Sequence, residues 1–398
     1  MSSSNPRPLV VSLCGTFLKP EMQSVYRQVA NLQNWRTIVY TEQRIEEERF
    51  PFEPVITLKK KSFRARGNFL WRFYWKHLRG VWPPPGWEPP LPPRDFEFCD
   101  LVARLKQDQP EVLHIYYGHK ARKYLPLVEK WGGPLVVSFH GVDVAAAQDK
   151  AEYAATWEEL FQYAKVVMAR SQSLLDKLKE MGCPNEKLVM NRTPIPMDHC
   201  VFQEKEPPAD GQWRCIQACR LIAKKGLLTT LQALETVLPK RPGLQFLIAG
   251  EGPLHDKLKK EISRRGWQEQ VQLLGWVDQK HLMELFSQCH FFLHPSETQA
   301  SQDQEGIPNS MLEAMACGLP VVATWHGGIP EAMEHERDGL LVPERDPDAL
   351  AAAILRLTGE ADFYQQSSRQ AAKTVRERFA LEQQIKAMER AYDRAARR

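Results

Sequence analysis

Short aliphatic and β-branched runs alternate with helical stretches along this chain, and the alternation stops once and then begins again. In the first half the strand-like runs are residues 9–14, 36–40, 112–116, 135–140 and 166–170, with a return near 188–191. Helical stretches lie between them at 22–32, 96–107, 157–163 and 174–181. Such alternation predicts a parallel sheet covered by helices. Residues 203–212 are polar and rich in breakers, as an interdomain linker is. The second series has strands at 214–218, 244–249, 271–274, 291–294 and 320–323, with helices at 226–238, 254–265 and 281–286. A polar, amphipathic helix is expected over 362–398. The fold class read from this pattern is α/β, with two Rossmann-like domains facing across a cleft. The domains would span 1–203 and 213–378, joined by a linker at 204–212 and followed by a final helix at 379–398. In open sheets ligands sit at the carboxyl ends of the strands, so the residues after each strand matter most.

Composition narrows the class without naming a function. A chain of 398 residues can bury two cores, and 43% hydrophobic with 26% charged residues is ordinary for a globular protein. A net charge of +4 gives no reason to expect nucleic acid as a partner. The eight cysteines show no CxxC pair and no zinc spacing, so reduced thiols in a cytosolic protein are expected. The apolar stretch 9–18 is too short to span a membrane and lacks a signal-peptide flank. It reads as a buried first strand.

The segment closest to a chemistry runs from Gln304 to Gly318. Glu305 stands in a loop beside Gly306, where backbone can approach a ligand closely. Pro308 precedes a helical run ending at Gly318, and Glu313 falls in its first turns. An anion at that helix start meets free N–H groups and the positive end of the dipole. Two carboxylates gripping hydroxyls around a phosphate describe a nucleotide-sugar site. Ser310 and Glu313 also have the spacing of a capping box, which would make Glu313 a structural partner of the helix start.

Other candidates follow strands. Arg220 and Lys225 come directly after the first strand of the second series and are either a pair that neutralises a diphosphate or a solvated basic loop, with Lys224 a competitor. Gly250 and Gly252 form a G-x-G turn after 244–249, and Gly275-Trp276-Val277 and His294-Pro295-Ser296 also end strands. In the first half, His140 and Asp143 close the strand at 135–140, and Asp143 either joins a site or caps the next helix. Arg170-Ser171 ends the following strand, and Gly15 follows the first one. Residues 59–79 carry lysines and arginines interleaved with Phe63, Phe69, Trp71, Phe73, Tyr74 and Trp75, and no acid. This suits either a helix in a membrane interface or one packed on the first domain.

The run Glu305 to Gly318, then Leu319-Pro320-Val321-Val322, Gly327-Gly328-Ile329-Pro330-Glu331 and Asp338-Gly339-Leu340, resembles the E-x7-E region of retaining family 4 glycosyltransferases of GT-B fold. It looks most like members that build bacterial exopolysaccharides of the colanic-acid type. The resemblance implies a retaining, metal-independent hexosyltransferase using a nucleoside diphosphate sugar, UDP-sugars favoured, with a glycan or lipid-linked acceptor and no other cofactor. It implies that Arg220, Lys225, Asn309 and Ser310 hold the diphosphate, and that Glu313, Gly250 and Gly252 meet the nucleotide. Glu305 and His140 would act near the reacting sugar, with Gly15, Asp143 and Gly306 on the sugar or acceptor side. No metal ligands and no Asp-x-Asp metal site are expected. A final helix crossing back to the first domain is implied as well. A GT-B epimerase or phosphorylase, and a non-catalytic binding protein at a membrane surface, are the alternatives.

Overall fold

Two all-parallel sheets organise the chain, as seen in a computed structural model that describes residues 7–19, 22–58, 100–140, 143, 154–299 and 306–397. The first sheet has the order β3-β2-β1-β4-β5-β6-β7. Its strands are β1 (Leu9–Phe17), β2 (Arg36–Arg44), β3 (Val55–Thr57), β4 (Val112–Tyr116), β5 (Leu135–Phe139), β6 (Val166–Ala169) and β7 (Leu188–Met190). The second has the order β10-β9-β8-β11-β12-β13. It is built from β8 (Arg214–Ala218), β9 (Gln245–Ala249), β10 (Val271–Gly275), β11 (Phe291–His294), β12 (Val321–Thr324) and β13 (Gly339–Val342). Strands β4, β5 and β6 are buried along their whole length, which is why they read as unbroken apolar runs. Strand order reverses between β1 and β4 and again between β8 and β11, and each reversal opens a crevice at the carboxyl edge.

The helices that shape the cleft are α1 (Gln23–Ala30), α2 (Asp100–Asp108), α3 (Gly118–Trp131), α4 (Ala154–Tyr163) and α5 (Gln172–Glu180) in the first half. The second half has α6 (Leu227–Val237), α7 (His255–Arg265), α8 (Gln279–Gln288), α9 (Asn309–Ala316), α10 (Ile329–Ala332) and α11 (Pro347–Gly359). The chain ends with α12 (Ala361–Phe379) and α13 (Leu381–Ala396). Five of these elements were not expected: β3, α3, β13, α10 and α11. For α3 the signal was present, because its buried Ala121, Tyr124, Leu125 and Val128 keep helical spacing despite Pro126 inside the helix. The predicted helical stretch 59–79 lies outside the described residues. No helix among the described residues is long and apolar enough to cross a membrane.

The polar stretch 203–212 is less free than its composition implied. Lys205 is buried, and its Nζ donates to the carbonyls of Phe286 and Ser287 at 3.1 and 2.6 Å. The single terminal helix expected over 362–398 breaks at Ala380, where Ile195 donates to the Phe379 carbonyl and accepts from Leu381 N, both at 2.9 Å. Beyond that break α13 lies on the first sheet. Tyr392 Oη meets His114 Nδ1 on β4 at 2.7 Å, and Glu389 accepts from the backbone N–H groups of Gln33 and Asn34 at 2.6 Å each. The last helix therefore crosses back to the first domain.

Candidate active site

The second domain builds its half of the site from two turns pressed together. After β8 the chain turns through Cys219, Arg220 and Leu221, and after β9 through Gly250, Glu251 and Gly252. Backbone bonds from Cys219 N to Ala249 O (3.0 Å) and from Leu221 N to Glu251 O (2.8 Å) tie the turns. Gly250 has φ 140°, and a Cβ there would lie 1.9 Å from the Cys219 carbonyl oxygen. A Cβ at Gly252, φ 153°, would lie 2.7 Å from the Leu221 carbonyl oxygen. Only glycine allows this approach. It leaves Arg220 exposed above the crevice while Lys225 is buried beside it, its carbonyl held by Gln217 Nε2 at 2.7 Å.

Helix α9 supplies the next wall. Pro308 occupies its cap position, and Ser310 Oγ donates to the Ala218 carbonyl at 2.7 Å, pinning the helix start against the end of β8. The capping-box alternative is thereby overturned: no side chain caps α9, the Ser310 hydroxyl is engaged elsewhere, and Glu313 turns toward the other domain. There its Oε1 pairs with Arg27 Nη2 of α1 at 2.5 Å, with both side chains buried. Arg27 Nη1 also donates to the Pro194 carbonyl at 3.2 Å.

These elements enclose a cavity of about 600 Å³ between the domains, a size suited to a small-molecule site. Arg220, Lys225, Gly250, Trp276, Asn309, Ser310 and Glu313 line it from the second domain, and Gln23, Arg49 and Arg170 from the first. Lys224, the competitor for the lysine role, does not line it. Four cationic side chains thus stand against Glu251 and Glu313. Burial pulls the Arg170 pKa down, and its Nη2 has no hydrogen-bond partner among the described residues. A buried cationic nitrogen without a partner is costly unless an anion fills the place. With the N-terminus of α9 opening on the same space, the cavity is equipped to hold an anionic group joined to a hydroxyl-bearing one.

Several sequence candidates lie elsewhere. Gly252, Gly15, His140, Asp143 and Gly306 do not line this cavity. Gly252 serves the packing of the two turns. Gly15 lies under Lys120, whose Cε would be 2.4 Å from a Cβ there. A Cβ at Gly306 would meet nothing within 4 Å. His140 stacks on Tyr117 with ring centroids 4.2 Å apart. Burial, then the Arg170 charge, pushes its pKa well below the ordinary range, so the ring is neutral, and its Nε2 has no partner among the described residues. Asp143 accepts from His140 N at 2.8 Å and from His119 Nδ1 at 2.6 Å. Arg170 lines the cavity while Ser171 caps α5, accepting from Leu174 N at 3.2 Å. Asp346-Pro347-Asp348 does have the Asp-x-Asp spacing, contrary to expectation, but Asp346 caps α11 by accepting from Ala349 N at 2.8 Å. Glu305 lies outside the described residues.

Sequence reasoning missed Arg27, Arg49, Gln23 and His119. The first three belong to the first domain and meet the second only in the folded protein, so no local pattern marks them. His119 follows the end of β4, and the strand-end rule would have found it.

Comparison with known proteins agrees with the fold. Residues 214–360 match the model for glycosyl transferases group 1, and residues 55–193 match the glycosyl transferase 4-like domain, together more than half of the chain. The chain is 35% identical over 253 residues to the amylovoran biosynthesis glycosyltransferase AmsK of Erwinia amylovora, covering 63% of this chain and 62% of AmsK. It is 32% identical over 222 residues to WcaL of Escherichia coli K12, whose name assigns it to colanic acid biosynthesis as a glycosyltransferase, covering 56% of this chain and 54% of WcaL. The chain thus spans less than two thirds of either relative. Among solved structures, Anabaena Alr3699/HepE in complex with UDP superposes with a TM-score of 0.75 at 17% identity, over 96% of this chain and 98% of that one, a likeness of fold. With a group 1 domain in its second half and a 4-like domain in its first, arranged as a GT-B fold, the chain belongs to the group 1, family 4-like glycosyltransferases.

Proposed function

We propose that this protein transfers a hexose from a nucleoside diphosphate sugar to a hydroxyl of a glycan or lipid-linked acceptor in bacterial polysaccharide synthesis. A UDP-sugar is the favoured donor, and the anomeric configuration is retained. The observation that carries the reading is the convergence of Arg220, Lys225, Asn309, Ser310 and Glu313 on one interdomain cavity. UDP bound to HepE and the polysaccharide pathways of AmsK and WcaL support the donor and the setting. In this reading Arg220, Lys225 and the N-terminus of α9 take the charge that develops on the departing diphosphate, the work a divalent ion does in other transferases. Glu313 accepts from ribose hydroxyls, and Glu305 orients the sugar near its reacting carbon.

The test is a donor panel of UDP-glucose, UDP-galactose and GDP-mannose, with and without octyl glycosides, following nucleoside diphosphate release and product. Release with a glycosylated product is expected, and R220A or K225A should lower kcat by about 10²–10³-fold. An interconverted sugar nucleotide would indicate an epimerase, and a sugar phosphate formed from added phosphate a phosphorylase. If no donor or nucleotide binds, the transferase reading is wrong.

A further inference from the structure

We infer that Arg170 receives the carboxylate of a uronic acid, carried either by the sugar being transferred or by the acceptor. The inference rests on the transferase reading and names the class of substrate that site takes. Arg170 stands directly after β6, at the carboxyl edge of the first sheet. It lines the interdomain cavity from the first domain, whereas Arg220 and Lys225 line it from the second. Other first-domain arginines at the interface have partners. Arg27 pairs with Glu313 at 2.5 Å, and Arg192 approaches Glu331 at 3.9 Å. The Arg49 guanidinium lies 5.3 and 5.4 Å from the centroids of the Trp276 and Phe50 rings. Arg170 differs. No described residue accepts a hydrogen bond from its Nη2, and the ionisable groups beside it are Tyr117, Tyr116 and His140, none of them a carboxylate.

Enclosing a guanidinium without a counter-charge costs stability, and burial is the first cause that draws the Arg170 pKa below its ordinary value. Water cannot relieve that cost from behind. Nη2 is closed to solvent, and the gap that Arg170 shares with His140, Gln28 and Asn191 is too narrow for a water molecule. Asn191 uses both side-chain atoms elsewhere, accepting from Gln28 Nε2 at 2.7 Å and donating to the Gln384 carbonyl at 2.8 Å. The residue stays partly exposed, and its open side is the donor cavity, so compensation comes from there. The His140 ring beside it is neutral, because burial and then the Arg170 charge push its pKa well below the ordinary range. The place therefore offers a single positive charge on a planar fork. That matches a carboxylate, whereas a phosphate dianion would keep one charge unmatched.

The side from which Arg170 enters selects the group it meets. In the transferase reading the nucleotide and its diphosphate lie on the second domain, at Arg220, Lys225 and the start of α9. What projects from them toward the first domain is the transferred sugar, with the acceptor beyond it. A first-domain cation thus meets a sugar group rather than the leaving diphosphate. A hexuronic acid carries a suitable one, because its exocyclic carbon is a carboxylate that is ionised at neutral pH. Arg170 is a specificity-determining residue in this account. It holds the charged sugar and disfavours a neutral hexose, against which the guanidinium would keep no partner.

The test uses the full chain and has a donor arm and an acceptor arm. In the donor arm UDP-glucuronic acid is compared with UDP-glucose, affinity by calorimetry and turnover by UDP release with octyl glucoside. In the acceptor arm octyl glucuronide is compared with octyl glucoside, using whichever of UDP-glucose, UDP-galactose and GDP-mannose turns over fastest. A preference of about 10²-fold for the charged compound is expected in one arm, which identifies the substrate that carries the carboxylate. R170Q should abolish that preference, and R170K should keep part of it. R170M without ligand should unfold at the same or a higher temperature, since it removes an uncompensated charge. No preference in either arm, a preference that R170Q keeps, or a lowered unfolding temperature for R170M overturns the inference and leaves the transferase reading intact. A wild-type chain that binds no nucleoside diphosphate removes both.

Discussion

Arg27 and Glu313 stand 286 positions apart and meet at 2.5 Å where the two domains touch. The pair makes Glu313 a residue with two duties. As the ribose ligand we propose it to be, it presents carboxylate oxygens to the donor, and as the partner of Arg27 it ties α9 to α1. Removing one member of a buried pair strands the other charge, at a cost of about 3–5 kcal/mol. R27M should therefore lower unfolding stability by about that amount and raise the KM for the donor, as measured by denaturant titration and initial rates. An unchanged unfolding midpoint would show that solvent reaches the pair. Replacing Glu313 itself would confuse the two duties, so Glu305 stays the clearer substitution for testing the chemistry. The acidic residue was visible in the sequence as a motif, but its partner was not. Arg27 lies on an amphipathic helix where a buried arginine has no local signature.

At the scale of elements, α13 is held to the first sheet by a histidine that must stay neutral. His114 lies fully buried between Tyr392 Oη and Ser138 Oγ, each 2.7 Å from a ring nitrogen, and burial lowers its pKa from 6.5 to about 3. Between those values the unfolded chain binds a proton that the folded chain refuses. Stability from this residue is therefore complete above pH 6.5 and declines as pH falls, by about 1.4 kcal/mol per unit, until near pH 3. Denaturant midpoints measured across that range should fall with acid, and H114Q should flatten the slope. A slope the same in H114Q and wild type would assign the acid sensitivity to other groups, among them His140, whose pKa is also depressed by burial. The crossing of the last helix was expected from family resemblance, and its docking chemistry emerged from the fold.

At the scale of the whole molecule, several contacts among the described residues tie the domains besides the chain itself. Arg27 meets Glu313, the Arg49 guanidinium lies 5.3 Å from the centroid of the Trp276 ring, and Glu331 of the second domain reaches the N-terminus of α5 in the first. There its carboxylate accepts from Gln172 N and, at 2.8 Å, from Ser173 N. An acid at a helix start contributes up to about 2 kcal/mol in a partly buried setting. E331A should thus loosen the domains, enlarging the radius of gyration in small-angle scattering and weakening donor affinity. Equal radii for E331A and wild type would mean that the remaining contacts suffice.

The sequence alone determined the double alternation of strands and helices, because strands buried on both faces must be apolar throughout and the linker between domains must not be. It also picked out most of the charged and polar residues by which the second domain lines the interdomain cavity. Arg220, Lys225, Gly250, Asn309, Ser310 and Glu313 lie at strand ends or at a helix start, where local geometry already faces a ligand. Only the tertiary structure decided what stands opposite. Arg49 and Arg170 reach the cavity, Arg27 reaches Glu313, and His119 reaches Asp143, through contacts made after the sheets and helices have packed. Those contacts depend on distances in space rather than spacing along the chain, and no periodicity or short motif encodes them.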